Sequence, residues 1–328
     1  MIRCPEKEEE GYSVIEVNNL VKKYGDKIAI NGLNFNIATG EIVGLLGLNG
    51  AGKSTTMNCL TGYIAPTAGT IRIDGHDILK EPDEAKRMIG YLPEVFSFYT
   101  DMKILEYLNF ICDLKGVLKD KKFRAEHIEK ICRQVGIWDI SGRMIRNLSK
   151  GYKQRVGFAQ AMIGNPRVLI LDEPTVGLDP SQIIEIRQLI KDSGKDSTVI
   201  VSSHILSEIQ AICSRIIIIH EGKIAADGSP SELTSAMQQN HEVLIRVKGD
   251  DQQITKVLQQ RPEVYKLTHL PSKEEGAQDY QVEGPVDTDM REILFRTLSD
   301  AGFTILQITG KEASLENLFL KLTSQQEI

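Results

Sequence analysis

One stretch of this 328-residue chain has the residue types and spacing to hold a triphosphate. Gly47-Leu48-Asn49-Gly50-Ala51-Gly52-Lys53-Ser54 fits the pattern G-x-x-x-x-G-K-[ST]. Its glycines let backbone N–H groups from Gly47, Asn49, Gly50, Ala51 and Gly52 converge on an anion without interference from Cβ atoms, and the helix N-terminus that follows adds positive potential. Lys53 is expected to reach the β and γ phosphates, Ser54 to offer its hydroxyl to Mg2+, and Thr55 to complete the cradle. A second constellation, Val168-Leu169-Ile170-Leu171-Asp172-Glu173, sets two carboxylates at the end of an apolar run. Adjacent acids there can divide labour: Asp172 holds the metal, usually through its water, and Glu173 polarises an attacking water. The chain has no Asn-Lys-x-Asp motif of the kind that reads guanine, which disfavours GTP.

These residues need elements that bring them together. The apolar run 42–46 suits a strand buried on both faces of a parallel sheet, and the glycine-rich turn after it opens a helix from Lys53, ended by Gly62 and Pro66. The runs 168–171 and 198–201 flank a helical stretch at 183–190, and 215–219 repeats them, so the order is strand, helix, strand. Acids at the C-terminal end of such a strand lie where open α/β sheets bind ligands. Two β-like segments, 14–20 and 28–37, precede the turn, the second passing through the turn signal Asn31-Gly32. Long amphipathic segments fill 82–165 and predict a helical insertion. Beyond residue 240 the pattern reads β-α-β-β-α-β, the split arrangement of a small ferredoxin-like sheet, followed by a closing helix at 314–322. The expected organisation is an acidic, disordered tail at 1–13, a nucleotide-binding domain at 14–237, and an accessory or regulatory α+β domain at 238–328.

Composition removes several alternatives. Lys and Arg number 39 against 45 Asp and Glu, a formal net charge of −6, which argues against electrostatic gripping of nucleic acid. The most apolar short stretch, 216–219, is flanked by Arg215 and His220, far short of the roughly 20 apolar residues a spanning helix needs. The glutamate-rich start has no apolar segment and is no secretory signal. Five scattered cysteines without a Cys-x-x-Cys pair read as reduced thiols, not a metal site.

Leu148-Ser149-Lys150-Gly151-Tyr152-Lys153-Gln154-Arg155 resembles the signature motif of ATP-binding-cassette (ABC) proteins, usually Leu-Ser-Gly-Gly-Gln. Physically it is a second anion site, with the Ser149 hydroxyl and the Gly151 N–H at the start of a helix read as 153–162. Lys150 and Tyr152 depart from the common motif and look like the Leu-Ser-Lys-Gly-x variants of exporter-type cassettes. Through this resemblance Tyr24 takes the place of the aromatic that stacks on adenine. Glu94, in Tyr91-Leu92-Pro93-Glu94, takes that of the glutamine that senses Mg2+ and the membrane partner. Gly177-Leu178-Asp179 resembles the loop that communicates between two nucleotide sites, and His204 matches the switch histidine at the γ phosphate.

The resemblance covers 14–233 and implies a P-loop NTPase of the ABC type that binds and hydrolyses ATP with Mg2+. It further implies a head-to-tail homodimer in which each ATP lies between one chain's phosphate loop and the other chain's Ser149 and Gly151. A separate transmembrane permease is expected to dock near 94–102, leaving this chain peripheral to the membrane on its cytoplasmic side, in a bacterial cytoplasm, without nucleic acid. The tail Ala313-Ser314-Leu315-Glu316-Asn317-Leu318-Phe319 looks most like ABC-2-type export cassettes. The rival expectation is a soluble cassette ATPase acting on ribosomes or DNA.

Overall fold

The structure, a computed structural model, describes residues 2–3, 13–235, 241–272, 274–285, 287–311, 315–316 and 319. The acidic stretch 4–12, the connecting stretch 236–240 and most of the expected closing helix at 314–322 lie outside the described residues. The chain divides into two compact units, with the division in sequence between Pro230 and Ser231.

In the first unit, Ile42–Leu46 and Val168–Asp172 are almost wholly apolar, Thr198–Ser203 is apolar at its centre, and all three are buried along nearly their full length. A strand with no wettable face is stable only with cover on both sides, and these three form the middle of a parallel sheet. Across that sheet the strands run Ile2–Arg3, Lys223–Gly228, Arg215–His220, Ile42–Leu46, Thr198–Ser203, Val168–Asp172 and Ile89–Leu92, with only Lys223–Gly228 running antiparallel to its neighbour Arg215–His220. A second, antiparallel sheet is made of Lys27–Ala38, Ser13–Tyr24, Ala68–Ile73 and His76–Asp77. Buried side chains from both sheets, among them Ile15, Leu33, Ile170 and Ile217, share one apolar cluster with Met57 of the helix Lys53–Leu60.

Three sequence expectations change here. Asn31-Gly32 does not turn the chain but is absorbed as a bulge within Lys27–Ala38, where the pairing with Ser13–Tyr24 slips between Leu20 and Val21. The insertion expected at 82–165 is not wholly helical: Ile89–Leu92 pairs in parallel with Val168–Asp172, and the helical layer is Ile104–Lys115, Lys121–Gln134 and Lys150–Met162. The last of these helices starts at Lys150 with Ser149 as its N-cap, so Lys150 and Gly151 form its first turn.

The second unit has the order His241–Lys248, Asp251–Gln259, Lys266–Leu270, Ala277–Gly284, Met290–Asp300, Thr304–Lys311, alternating as the sequence pattern predicts. Its four strands pair antiparallel with the first and third as neighbours and the second and fourth at the edges, the ferredoxin-like topology. Both helices close one face, packing Ile254, Leu258, Leu294 and Leu298 against Val243, Ile245, Tyr280 and Val282.

Burial also decides the chemistry of the thiols. Desolvation pushes Cys59 and Cys132 up to about 11 and Cys213 to about 12, and raises Cys112 as well. At pH 8 these four should resist alkylation in the folded protein and react only after denaturation, a contrast that peptide mapping by mass spectrometry measures directly.

Candidate active site

Strand order builds the site. Thr198–Ser203 lies between Ile42–Leu46 and Val168–Asp172, and their parallel registers align Leu46 with Ser203 and Ser202 with Asp172. The three chains therefore leave the sheet at one level and one end, where the loop 47–52, the pair Asp172 and Glu173, and His204 all emerge.

The phosphate loop is shaped by close backbone approach. A Cβ on Gly47 would collide with the Ile219 carbonyl oxygen, and one on Gly52 would lie 2.7 Å from the Ala29 carbonyl oxygen, with Gly52 at φ +113°. Only glycine fits such contacts. The turn after Arg215–His220 clamps the loop, since Gly222 N–H donates to Ala51 O at 2.9 Å and Asn31 N–H donates to Gly222 O at 2.8 Å. Gly52 also caps the helix Lys53–Leu60, and a cap with no side chain leaves the first N–H groups to an incoming anion. Lys53 is 5% exposed; its Nζ donates to Gly47 O at 2.7 Å and Leu48 O at 3.2 Å and lies 3.9 Å from Glu173 Oε1. Burial holds its pKa below the ordinary lysine value although Glu173, Asp172 and Glu94 pull the other way.

The two carboxylates are held by a hydroxyl that sequence reasoning passed over. Ser202, fully buried, donates from Oγ to Asp172 Oδ1 at 2.5 Å and accepts from Glu173 N–H at 2.9 Å. Glu173 sits at φ +47°, a backbone conformation that costs a non-glycine residue roughly 1–3 kcal/mol and persists where its surroundings fix it. Its carboxylate meets His204 Nδ1 at 3.0 Å from both oxygens. Desolvation raises the Asp172 pKa, with Glu94 and Glu173 adding to it and the Ser202 hydrogen bond and Lys53 opposing. Glu208, also unforeseen, accepts from Thr175 Oγ1 at 2.6 Å and Ser203 Oγ at 3.1 Å and so ties the loop after Glu173 to the middle strand. Local sequence offers no sign of either residue, because their partners lie on other strands and loops.

Around these groups lies a cleft of about 540 Å³. Asn49, Gly50, Gly52, Lys53, Ser54, Thr55, Glu94, Glu173, His204 and Tyr24 all line it, and Gly47, Ala51 and Asp172 do not. Tyr24 is half-exposed, with Lys22 Nζ 5.2 Å from its ring centre. Ser149 and Gly151 do not line this cleft: Ser149 is exposed, and Gly151 is buried beneath the Gln182 side chain.

A glycine-clamped phosphate loop and a buried lysine after one parallel strand, with an adjacent Asp and Glu at the end of another separated from it by the middle strand, define a P-loop nucleotide-hydrolase fold with its nucleotide site. Comparison with known proteins narrows this class. A family model described as ABC transporter matches residues 30–176. The bacitracin transport ATP-binding protein BcrA of Bacillus licheniformis is 34% identical over 94% of this chain and 97% of its own length. The linearmycin resistance ATP-binding protein LnrL of Bacillus subtilis is 30% identical over 95% of this chain and 99% of its own. Among solved structures, an ATP-binding subunit of an ABC transporter superimposes with a TM-score of 0.63 at 28% identity, covering 68% of this chain and 92% of the other. A dimeric bacterial ABC transporter cassette gives 0.60 at 27% identity, covering 66% and 98%. The chain belongs to the ABC transporter family, as an ATP-binding and ATP-hydrolysing subunit of the exporter type.

Replacing Ser202 with Ala removes the donor to Asp172 and strands a buried Glu173 N–H. Leaving a buried partner unsatisfied costs about 1–3 kcal/mol. Urea denaturation of Ser202→Ala should show a loss of that size, with reduced ATP turnover.

Proposed function

We propose that this chain works as a homodimer, closed head to tail over two ATP molecules, and drives export through a separate transmembrane permease of the ABC-2 type. The observation that carries the reading is the split of the anion-binding groups. Lys53, His204 and the loop residues Asn49, Gly50 and Gly52 line one cleft, whereas Ser149 and Gly151 at the N-terminus of the signature helix do not line it. A signature site that does not face its own chain's nucleotide suits the nucleotide of a second copy. A dimeric cassette among the structural neighbours supports pairing of two copies.

Within each site, Tyr24 offers an exposed aromatic face for adenine, the 47–52 amides and Lys53 bind the β and γ phosphates, and His204 contacts the γ phosphate together with the partner's signature serine. The oxygen donors Ser54, Asp172 and Glu94 suit Mg2+, which takes one or two protein ligands and completes its shell with phosphate oxygens and water. Among the described residues no three His, Cys, Asp or Glu side chains form a metal site by themselves. Mg2+ supplies charge neutralisation between phosphates when bound. Glu173 then orients the attacking water from the wall of the cleft, and burial of Lys53 and Asp172 strengthens every charge interaction at the phosphate.

Among the described residues no helix is long and apolar enough to cross a membrane; the transport path is assigned to a partner because the relatives matched over nearly their whole length are named as ATP-binding proteins of transport and resistance. The segment 94–102, which exposes Val95 and Tyr99, is the proposed contact, and it places the chain on the cytoplasmic face of the membrane. The residues from 238 onward would then act as an accessory or regulatory domain. A cassette working on ribosomes or DNA is not favoured, because the relatives matched over their whole length are named for transport and resistance.

Aligning a water with a general base contributes about 10² to 10⁴ in rate. Glu173→Gln should therefore bind ATP as the wild type does, lose turnover by that factor, and elute as a dimer on ATP addition; wild-type hydrolysis rates in this variant would refute the role of Glu173. Lys53→Ala should instead weaken ATP binding itself in a calorimetric titration.

A further inference from the structure

One face of the helix Lys150–Met162 is fastened to the loop that follows Glu173. Lys150 lies across Gly177: a Cβ on Gly177 would run into Lys150 Nζ and stand 3.1 Å from its Cε and 3.6 Å from its Cδ, and those are the nearest atoms to that position. Gly151 packs under Gln182, whose amide atoms come within 2.7–2.8 Å of where its Cβ would be. Gln154, buried, donates from Nε2 to Pro174 O at 2.6 Å, and Arg155 forms an ion pair with Glu185 while donating from Nη1 to Val135 O at 2.8 Å. Positions 150, 151, 154 and 155 recur at the spacing of one helical face. Together they grip 174–185 from Pro174, adjacent to Glu173, to Glu185 in the helix Pro180–Ser193.

Most of this grip comes from short or buried contacts. Lys150 is the exception, an exposed long side chain laid over a residue with no side chain at φ +70°, where a methyl would expel it. Gly177 lies four residues beyond Glu173, in a stretch tightened by Val176 N–H donating to Glu173 O at 3.2 Å and Leu178 N–H donating to Thr175 O at 3.2 Å. Any shift of Gly177 is passed back through those turns to the backbone of Glu173.

We propose that Lys150 is a positioning residue for hydrolysis: its extended side chain, with Nζ nearest Gly177 and Cε and Cδ behind it, acts as a strut between the signature helix and the loop at Gly177, holding Glu173 of its own chain in register for attack. The inference rests on the head-to-tail reading given above and adds to it that the signature helix, seated on one nucleotide, sets the geometry of the carboxylate at the other. The lysine works by length and packing here, and its charge on phosphate is not required.

The test is steady-state ATP hydrolysis by the full-length chain with Lys150→Ala, Lys150→Met and Gly177→Ala, alongside calorimetric ATP binding. Misplacement of a catalytic group by about 1 Å costs on the order of 10²-fold in rate. Lys150→Ala should lower kcat roughly 10- to 100-fold with KM and ATP affinity within about 2-fold of wild type. Lys150→Met, which keeps the side chain as far as Cε without the charge, should restore kcat to within about 3-fold of wild type, and Gly177→Ala, which both strains the backbone at φ +70° and displaces Nζ, should lower kcat on its own. Unchanged kcat in Lys150→Ala overturns the proposal. So does a raised KM that Met fails to rescue, which would mean an ammonium bound to phosphate. If wild-type protein fails to hydrolyse ATP at all, the functional reading itself fails, a result separate from any difference among the variants.

Discussion

The whole site depends on one buried hydroxyl at the end of the middle strand. Ser202 joins Asp172 to the Glu173 backbone across neighbouring strands, and it can do so only because parallel pairing sets Ser202 beside Asp172. Sliding that register by one residue would turn Ser202 to the opposite face and leave Asp172 without its donor. A carboxylate pushed toward its neutral form by burial would then have lost the hydrogen bond that favours its charge. The apolar residues that fix the register, Val199, Ile200 and Val201 against Leu169, Ile170 and Leu171, are thus part of the chemistry although none touches the cleft.

The same economy holds on the other side of the middle strand. Ile42–Leu46 ends beside Ser203, and the glycine turn that follows has no room for a side chain at Gly47, where the Ile219 backbone presses on it, or at Gly52, where the Ala29 backbone does. Charge is concentrated accordingly. Lys53 faces Glu173, Asp172 and Glu94 within a cleft that keeps it and two of those carboxylates nearly dry, so each interaction is stronger than it would be in water. An acid at position 94 adds a third negative charge acting on that lysine.

Much of this was legible in the residues themselves. The phosphate loop follows a run of apolar residues and opens a helix, and period-two and period-3.6 patterns beyond residue 240 predict the ferredoxin-like unit with ends shifted by one or two positions at most segments. Those signals are local, and local physics enforces them. What stayed hidden was relational. Ser202 and Glu208 matter through partners 30 and 33 residues away, and nothing in Thr-Val-Ile-Val-Ser-Ser marks one serine as structural glue. Asn31-Gly32 has turn chemistry that the long pairing of its strand overrides as a bulge, and Ile89–Leu92, four residues amid amphipathic helices, becomes a strand because the sheet edge at Val168–Asp172 offers it partners. The signature helix begins three residues earlier than its pattern suggests because Ser149 serves as its cap.

A crystal structure of Glu173→Gln grown with ATP and Mg2+ tests the central claim most directly. The expected result is two chains related head to tail, each γ phosphate touched by Lys53 and His204 of one chain and by Ser149 of the other, with the substituted amide side chain at position 173 beside the attacking position. A nucleotide bound away from the 47–52 loop, or a phosphate met by one chain alone in a monomer, would contradict it.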